Sequence, residues 1–63
     1  MKIKIKEKYT RVRDKEYHLE LYLDDAGKTA FALSTTEGPV KADVVKDDEI
    51  LHIEIAEFLT GRA

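Results

Sequence analysis

The sequence predicts an all-β domain: a five-stranded antiparallel meander curled into a small barrel. Three observations point there. Lysines at positions 2, 4, 6 and 8 alternate with Ile3, Ile5, Glu7 and Tyr9, and a period of two places successive side chains on opposite faces of an extended strand. A second alternating run at 17–23 is mirrored across Asp24, Asp25, Ala26 and Gly27 by the residues that follow. A third match joins the apolar residues of 40–45 to those of 50–55.

Strand one carries the charged face Lys2, Lys4, Lys6, Lys8 and the more apolar face Ile3, Ile5, Tyr9. Tyr9 and Val12 differ in parity, so a bulge near Thr10 or Arg11 is expected to insert one extra residue. Arg13, Asp14, Lys15 and Glu16 make the turn into strand two, which brings Lys8 near Glu20. Strand two has its odd positions apolar: Tyr17, Leu19, Leu21 and Leu23. Aspartates followed by Gly27 suit a type I turn closed by a left-handed residue. Setting Asp24 opposite Lys28 then pairs Leu23 with Thr29, Leu21 with Phe31 and Leu19 with Leu33. The other face pairs Tyr22 with Ala30, Glu20 with Ala32 and His18 with Ser34.

Glu37, Gly38 and Pro39 interrupt the third strand, because proline lacks a ladder donor and glycine relaxes the backbone. A fourth strand is expected over 40–45. Polar residues 46–49 form the next turn, and Val45 opposite Ile50 aligns Val44 with Leu51, Ala42 with Ile53 and Val40 with Ile55. The same register sets Lys46 beside Glu49, Asp43 beside His52 and Lys41 beside Glu54; a slip of one residue would invert both faces. The competing reading makes Asp48 the cap of a helix with Leu51, Ile55, Phe58 and Leu59 in one stripe and Gly61 as its stop. Three isoleucines favour the strand, leaving a final helical turn at 57–60.

A five-stranded sheet with one apolar face and no long helix to cover it is expected to close on itself, in the manner of SH3 and OB barrels. The expected core is Ile3, Ile5, Tyr9, Leu19, Leu21, Leu23, Phe31, Leu33, Val40, Val44, Leu51, Ile53, Ile55 and Phe58. If strand one also borders strand five, Lys2, Lys4 and Lys6 face Glu54 and Glu57.

Sixty-three residues make one domain, whose core is expected to supply only ~3–5 kcal/mol of stability. The absence of cysteine excludes disulfides and thiolate metal sites. No stretch approaches the ~20 apolar residues of a membrane span, and the start lacks a signal-peptide run. The chain is therefore expected to be soluble and unprocessed, with a reducing interior such as the cytoplasm as the default. Glutamate and lysine enrichment without Cys or Trp suits a thermostable or designed protein.

Charge is divided along the chain. Residues 1–15 carry seven basic side chains against Glu7 and Asp14, a net of +5; residues 16–63 carry four basic against eleven acidic, a net of −7. Lys2, Lys4, Lys6 and Lys8 with Tyr9, Arg11 and Arg13 could form a nucleic-acid surface, since small barrels bind single strands with cationic grooves and aromatic platforms. The net charge of −2 weighs against a dedicated binder, and pairing with acidic neighbours explains the lysines equally.

The hairpin from Tyr22 to Thr29, behind a lysine-alternating strand, resembles that of the small archaeal DNA-binding chromatin barrels. The resemblance implies a barrel with DNA bound on its third-strand face. Those proteins place a tryptophan and arginines there, whereas this chain has no Trp and offers Ala30, Ala32 and Ser34, so their function is not carried over.

His18 opposite Ser34, and His52 beside Asp43, are the pairings closest to acid-base or nucleophilic chemistry. Neither completes a triad. Two histidines without motif spacing make a weak metal set, and no cofactor or small-molecule substrate is expected. The outward patch Tyr22, Ala30 and Ala32, with Val45 and Ile50 at a neighbouring hairpin end, suits a protein partner or self-association better. Agreement of turn chemistry, pattern and charge pairing is typical of a scaffold, because functional sites usually break local rules. The sequence thus points to a non-enzymatic structural or protein-interaction module, with a nucleic-acid-binding barrel and a small phage-type inhibitor or adaptor as rivals.

Overall fold

The computed structural model describes residues 1–61. Four antiparallel strands form one open sheet in the order β1-β2-β3-β4, and two helices complete the C-terminal part. The strands are β1 (Ile3–Val12), β2 (Lys15–Leu23), β3 (Thr29–Thr35) and the two-residue β4 (Gly38–Pro39). The helices are α1 (Ala42–Asp47) and α2 (Glu49–Thr60).

The β2–β3 hairpin has the register that the alternation dictates. Leu19 faces Leu33, Leu21 faces Phe31, Leu23 faces Thr29, and His18 faces Ser34. Its turn is closed by Gly27 N–H donating to Asp24 O at 3.1 Å and Asp24 N–H donating to Lys28 O at 3.0 Å. Gly27 has φ 80°, a conformation that side chains with a Cβ disfavour.

The β1–β2 hairpin corrects the expected turn and bulge. Its turn is the two residues Arg13 and Asp14, both left-handed at φ 50° and 67°, and this sets Tyr9 opposite His18 and Glu7 opposite Glu20. Lys8 therefore lies opposite Leu19, not near Glu20. The register shift falls between Lys4 and Lys6, not near Thr10 or Arg11. A bulge at Ile5 reverses the facing of everything after it, so Lys4 stands on one face of the sheet while Lys6 and Lys8 stand on the other. The four lysines do not form one charged face.

The expected barrel is replaced by a sheet with a helix across one face. The segments expected as strands four and five, 40–45 and 50–55, are helical from Ala42 onward, and the short return strand β4 forms at Gly38–Pro39, where only a break was expected. Asp48 decides this locally: its Oδ1 accepts from Leu51 N–H at 3.1 Å, and Glu49 adds negative charge to the first turn, where the helix dipole favours it. No glycine or proline interrupts the helix until Gly61, which ends it at φ 80°. Isoleucine disfavours helix by only a few tenths of a kcal/mol, and burial outweighs that. Leu51, Ile55 and Phe58 recur on one stripe and all are buried, each contributing ~1.5–3 kcal/mol.

Those three residues pack with Val12, Tyr17, Leu19 and Leu33, flanked by Leu21, Phe31, Val40 and Val45. Val12 and Tyr17 thus join the core, while the expected core members Ile3, Ile5, Tyr9, Val44 and Ile53 are exposed. The position of α2 explains the exchange. Its start is tied to the β1–β2 turn by Arg13 Nη1 to Asp48 Oδ2 at 2.9 Å, and Thr10 donates to Glu54 Oε1 at 2.6 Å. Its end meets Lys6, whose ammonium donates to Phe58 O at 3.0 Å and lies 5.4 Å from the Phe58 ring. A cation there complements the negative end of the helix dipole, which has no basic residue in its own last turn. Ile3 and Ile5 lie beyond the point where α2 stops, so nothing from the helix covers them.

No buried side-chain nitrogen or oxygen among the described residues lacks a partner. No helix among them is long and apolar enough to cross a membrane.

Candidate functional site

Among the described residues, no layer covers the face of the sheet opposite α2. After the Ile5 bulge, β1 sends Glu7, Tyr9 and Arg11 to this face, and β2 sends Glu16, His18, Glu20 and Tyr22. Ala30, Ala32 and Ser34 continue it onto β3.

A polar network occupies its middle. Glu7 and Glu20 are direct cross-strand partners, an arrangement in which like charges repel. Two cationic or proton-bearing groups offset that repulsion. Lys4 Nζ lies 2.9 Å from Glu7 Oε2 and 3.5 Å from Glu20 Oε2. His18 sits between the same two carboxylates, with Nε2 bonded to Glu7 Oε2 and Nδ1 3.7 Å from Glu20 Oε1. Tyr22 donates its hydroxyl to Glu20 Oε2 at 2.7 Å. Tyr9 stacks on the His18 ring, centroids 4.3 Å apart and planes within 2°. Glu7, His18 and Glu20 each bring a ligand atom within 4.8 Å of the others, so this trio is the cluster best suited to hold a cation among the described residues.

The network displaces the proton affinities of its members. Hydrogen bonding from Lys4, then from His18, holds the Glu7 carboxyl below its ordinary value of 4.5. Hydrogen bonding from Tyr22 does the same for Glu20. Conversely, Tyr22 is raised above 10.0 by its bond to Glu20, and Lys4 above 10.5 by its bond to Glu7. A carboxyl with a depressed folded-state pKa stabilises the fold fully above its unfolded value and loses that contribution as pH falls through the folded value. A raised Tyr or Lys contributes fully below its unfolded value and loses the contribution as pH rises through the folded one. Through these carboxylates and Tyr22, thermal stability is therefore expected to fall below about 4.5 and above about 10. Melting curves of Glu7→Gln and Glu20→Gln across this range should show a shallower acid limb than the parent chain; an unchanged limb would contradict the network.

The residues singled out from sequence are dispersed. Tyr22, Ala30 and Ala32 share the open face as expected, but Val45 packs against the core and Ile50 is exposed on α2. Lys4, Tyr9 and Arg11 are on the open face; Lys6 and Lys8 face α2; Lys2 precedes the strand; and Arg13 is in the turn, bound to Asp48. His18 does face Ser34. Asp43 lies on α1 and His52 on α2, not in adjacent strands as expected, and no hydrogen bond or ion pair joins them among the described residues.

Sequence reasoning placed His18 and Glu20 on one face but missed Glu7 as their partner. A two-residue turn at Arg13 and Asp14 would have supplied the signal, since it alone sets Glu7 against Glu20. Comparison with family models, with curated proteins and with solved structures gave no match for this chain.

Proposed function

We propose that this protein is a non-enzymatic interaction module that docks a protein partner on the uncovered face of its sheet. The reading rests on one observation: α2 and the core lie on one side, leaving Tyr9, His18, Tyr22, Ala30 and Ala32 as a face that no other element covers among the described residues. Its chemistry supports the reading. Two tyrosines and a histidine give broad apolar area with polar tips, and the small residues of β3 let a partner approach closely. Tyr9, 62% exposed, is the most prominent anchor.

Distribution of the basic residues favours a protein over a nucleic acid. The Ile5 bulge divides the lysines between two faces, and on the open face Lys4 is already engaged by Glu7 and Glu20.

Ala32→Arg fills the face without touching the core and is expected to lower recovery of the bound protein at least tenfold in crosslinking and pull-down experiments. Ile53→Lys, on the far side of α2, should leave recovery unchanged. Equal recovery with both variants would refute docking on the sheet. Salt-sensitive gel shifts with oligonucleotides, lost in a Lys6→Glu and Lys8→Glu chain, would replace it with the nucleic-acid reading.

A further inference from the structure

We propose that Glu7, His18 and Glu20 form a binding site for a divalent transition-metal ion, zinc being the best fit, with Lys4 as the internal cation that the metal displaces. This inference stands apart from the protein-docking reading, because it depends on three side chains and not on the face as a surface.

The donor set is two carboxylates and one imidazole, which suits zinc and related N,O-binding ions better than calcium or magnesium. The three donors come from one face of two paired strands, Glu7 directly opposite Glu20 and His18 in the next pair along that face, beside Tyr9, so the backbone fixes their relative placement. His18 and Glu20 are two apart on β2, hence on one face, and Glu7 is the cross-strand partner of Glu20. Zinc holds ligand atoms ~3.3 Å apart in a tetrahedron, given bond lengths of ~2.0–2.2 Å. The trio already lies within 4.8 Å, and rotation of the glutamate side chains spans the remainder. A fourth position is left for water.

The surroundings have the features of a supporting shell. Tyr22 holds the second oxygen of Glu20 at 2.7 Å, and Tyr9 fixes the plane of the imidazole by stacking; such outer contacts orient ligands and raise metal affinity. Lys4 is the most telling neighbour. Its ammonium reaches both carboxylates, at 2.9 and 3.5 Å, so a cation is already drawn to the point where they converge. Lys4 rides on a flexible, substantially exposed stem and can withdraw, and a doubly charged ion compensates two carboxylates more fully than one ammonium does.

Titration of the full chain with zinc chloride at neutral pH, followed by calorimetry and by ¹H–¹⁵N spectra that also report folding, tests this directly. One zinc per chain is expected, with shifts centred on residues 7, 18 and 20. His18→Gln and Glu20→Gln should each weaken binding at least tenfold while the spectra remain dispersed. His52→Gln, on α2, should leave affinity unchanged, and Lys4→Met should tighten binding about tenfold, equivalent to ~1.4 kcal/mol. Absence of binding, persistence in His18→Gln, or loss in His52→Gln would overturn the site; a Lys4→Met chain no tighter than the parent would overturn the displacement.

Discussion

Leu51→Ala is expected to abolish the cooperative unfolding transition of this domain. Leu51 and Leu19 are the largest fully buried side chains among the described residues, one from the helix and one from the central part of the sheet. Truncating a buried leucine to alanine costs ~2–5 kcal/mol through lost transfer energy and the cavity left behind. A single core of this size supplies only ~3–5 kcal/mol in total, so the substitution removes most of it. Without α2 the sheet has no covered face, and a meander with both faces wet has little to hold it together. Urea titration followed by circular dichroism should show a broad, early loss of signal. Leu59→Ala, at an exposed position of the same helix, should change stability by less than ~0.5 kcal/mol. A Leu51→Ala chain melting within ~1 kcal/mol of the parent would show that α2 does not complete the core.

Introducing lysine at Ile53 and at Ile55 should give opposite results. In a strand the two positions point the same way, whereas in a helix they lie on roughly opposite sides. Ile55 is 8% exposed and Ile53 is 49% exposed. Ile55→Lys loses a buried side chain and forces a charge against Leu51, Phe58 and the sheet, at a cost of at least ~4 kcal/mol. Ile53→Lys places its ammonium in water and should cost no more than ~0.5 kcal/mol. Thermal melts of the two chains decide between the observed helix and the barrel that the sequence suggests. Equal destabilisation would favour the strand.

The contest between those readings was close for a physical reason. Residues 50–55 alternate as Ile50, Leu51, His52, Ile53, Glu54, Ile55, which fits a period of two about as well as it fits a helix with apolar residues on more than one side. The cap at Asp48, the stripe Leu51, Ile55, Phe58 and the stop at Gly61 were all visible in the sequence. Three β-branched isoleucines argued the other way, yet β propensity mainly measures fit to a half-buried pleated surface. Here the surface available was the bare side of a three-strand meander, which a helix covers more completely than two further strands.

The polar site was legible in part. Leucine spacing and the turn at 24–27 fixed the faces of β2 and β3, and with them the shared side of His18 and Glu20. Glu7 was hidden because a glutamate opposite a glutamate is unfavourable in isolation. Only Lys4 and His18 together make the pairing tolerable, and Lys4 reaches the same face through the bulge at Ile5.

By itself the sequence determined the second hairpin, the alternation of β2, the capacity of Asp48 to start a helix and of Gly61 to end one, because each depends on contacts between near neighbours in the chain. The tertiary structure alone decided which side of β1 is covered, where its extra residue falls, and whether the last third crosses the sheet as a helix. Those outcomes turn on Leu19, Leu51 and Phe58 burying one another across long stretches of chain, a collective gain in dry contact area that no local pattern encodes.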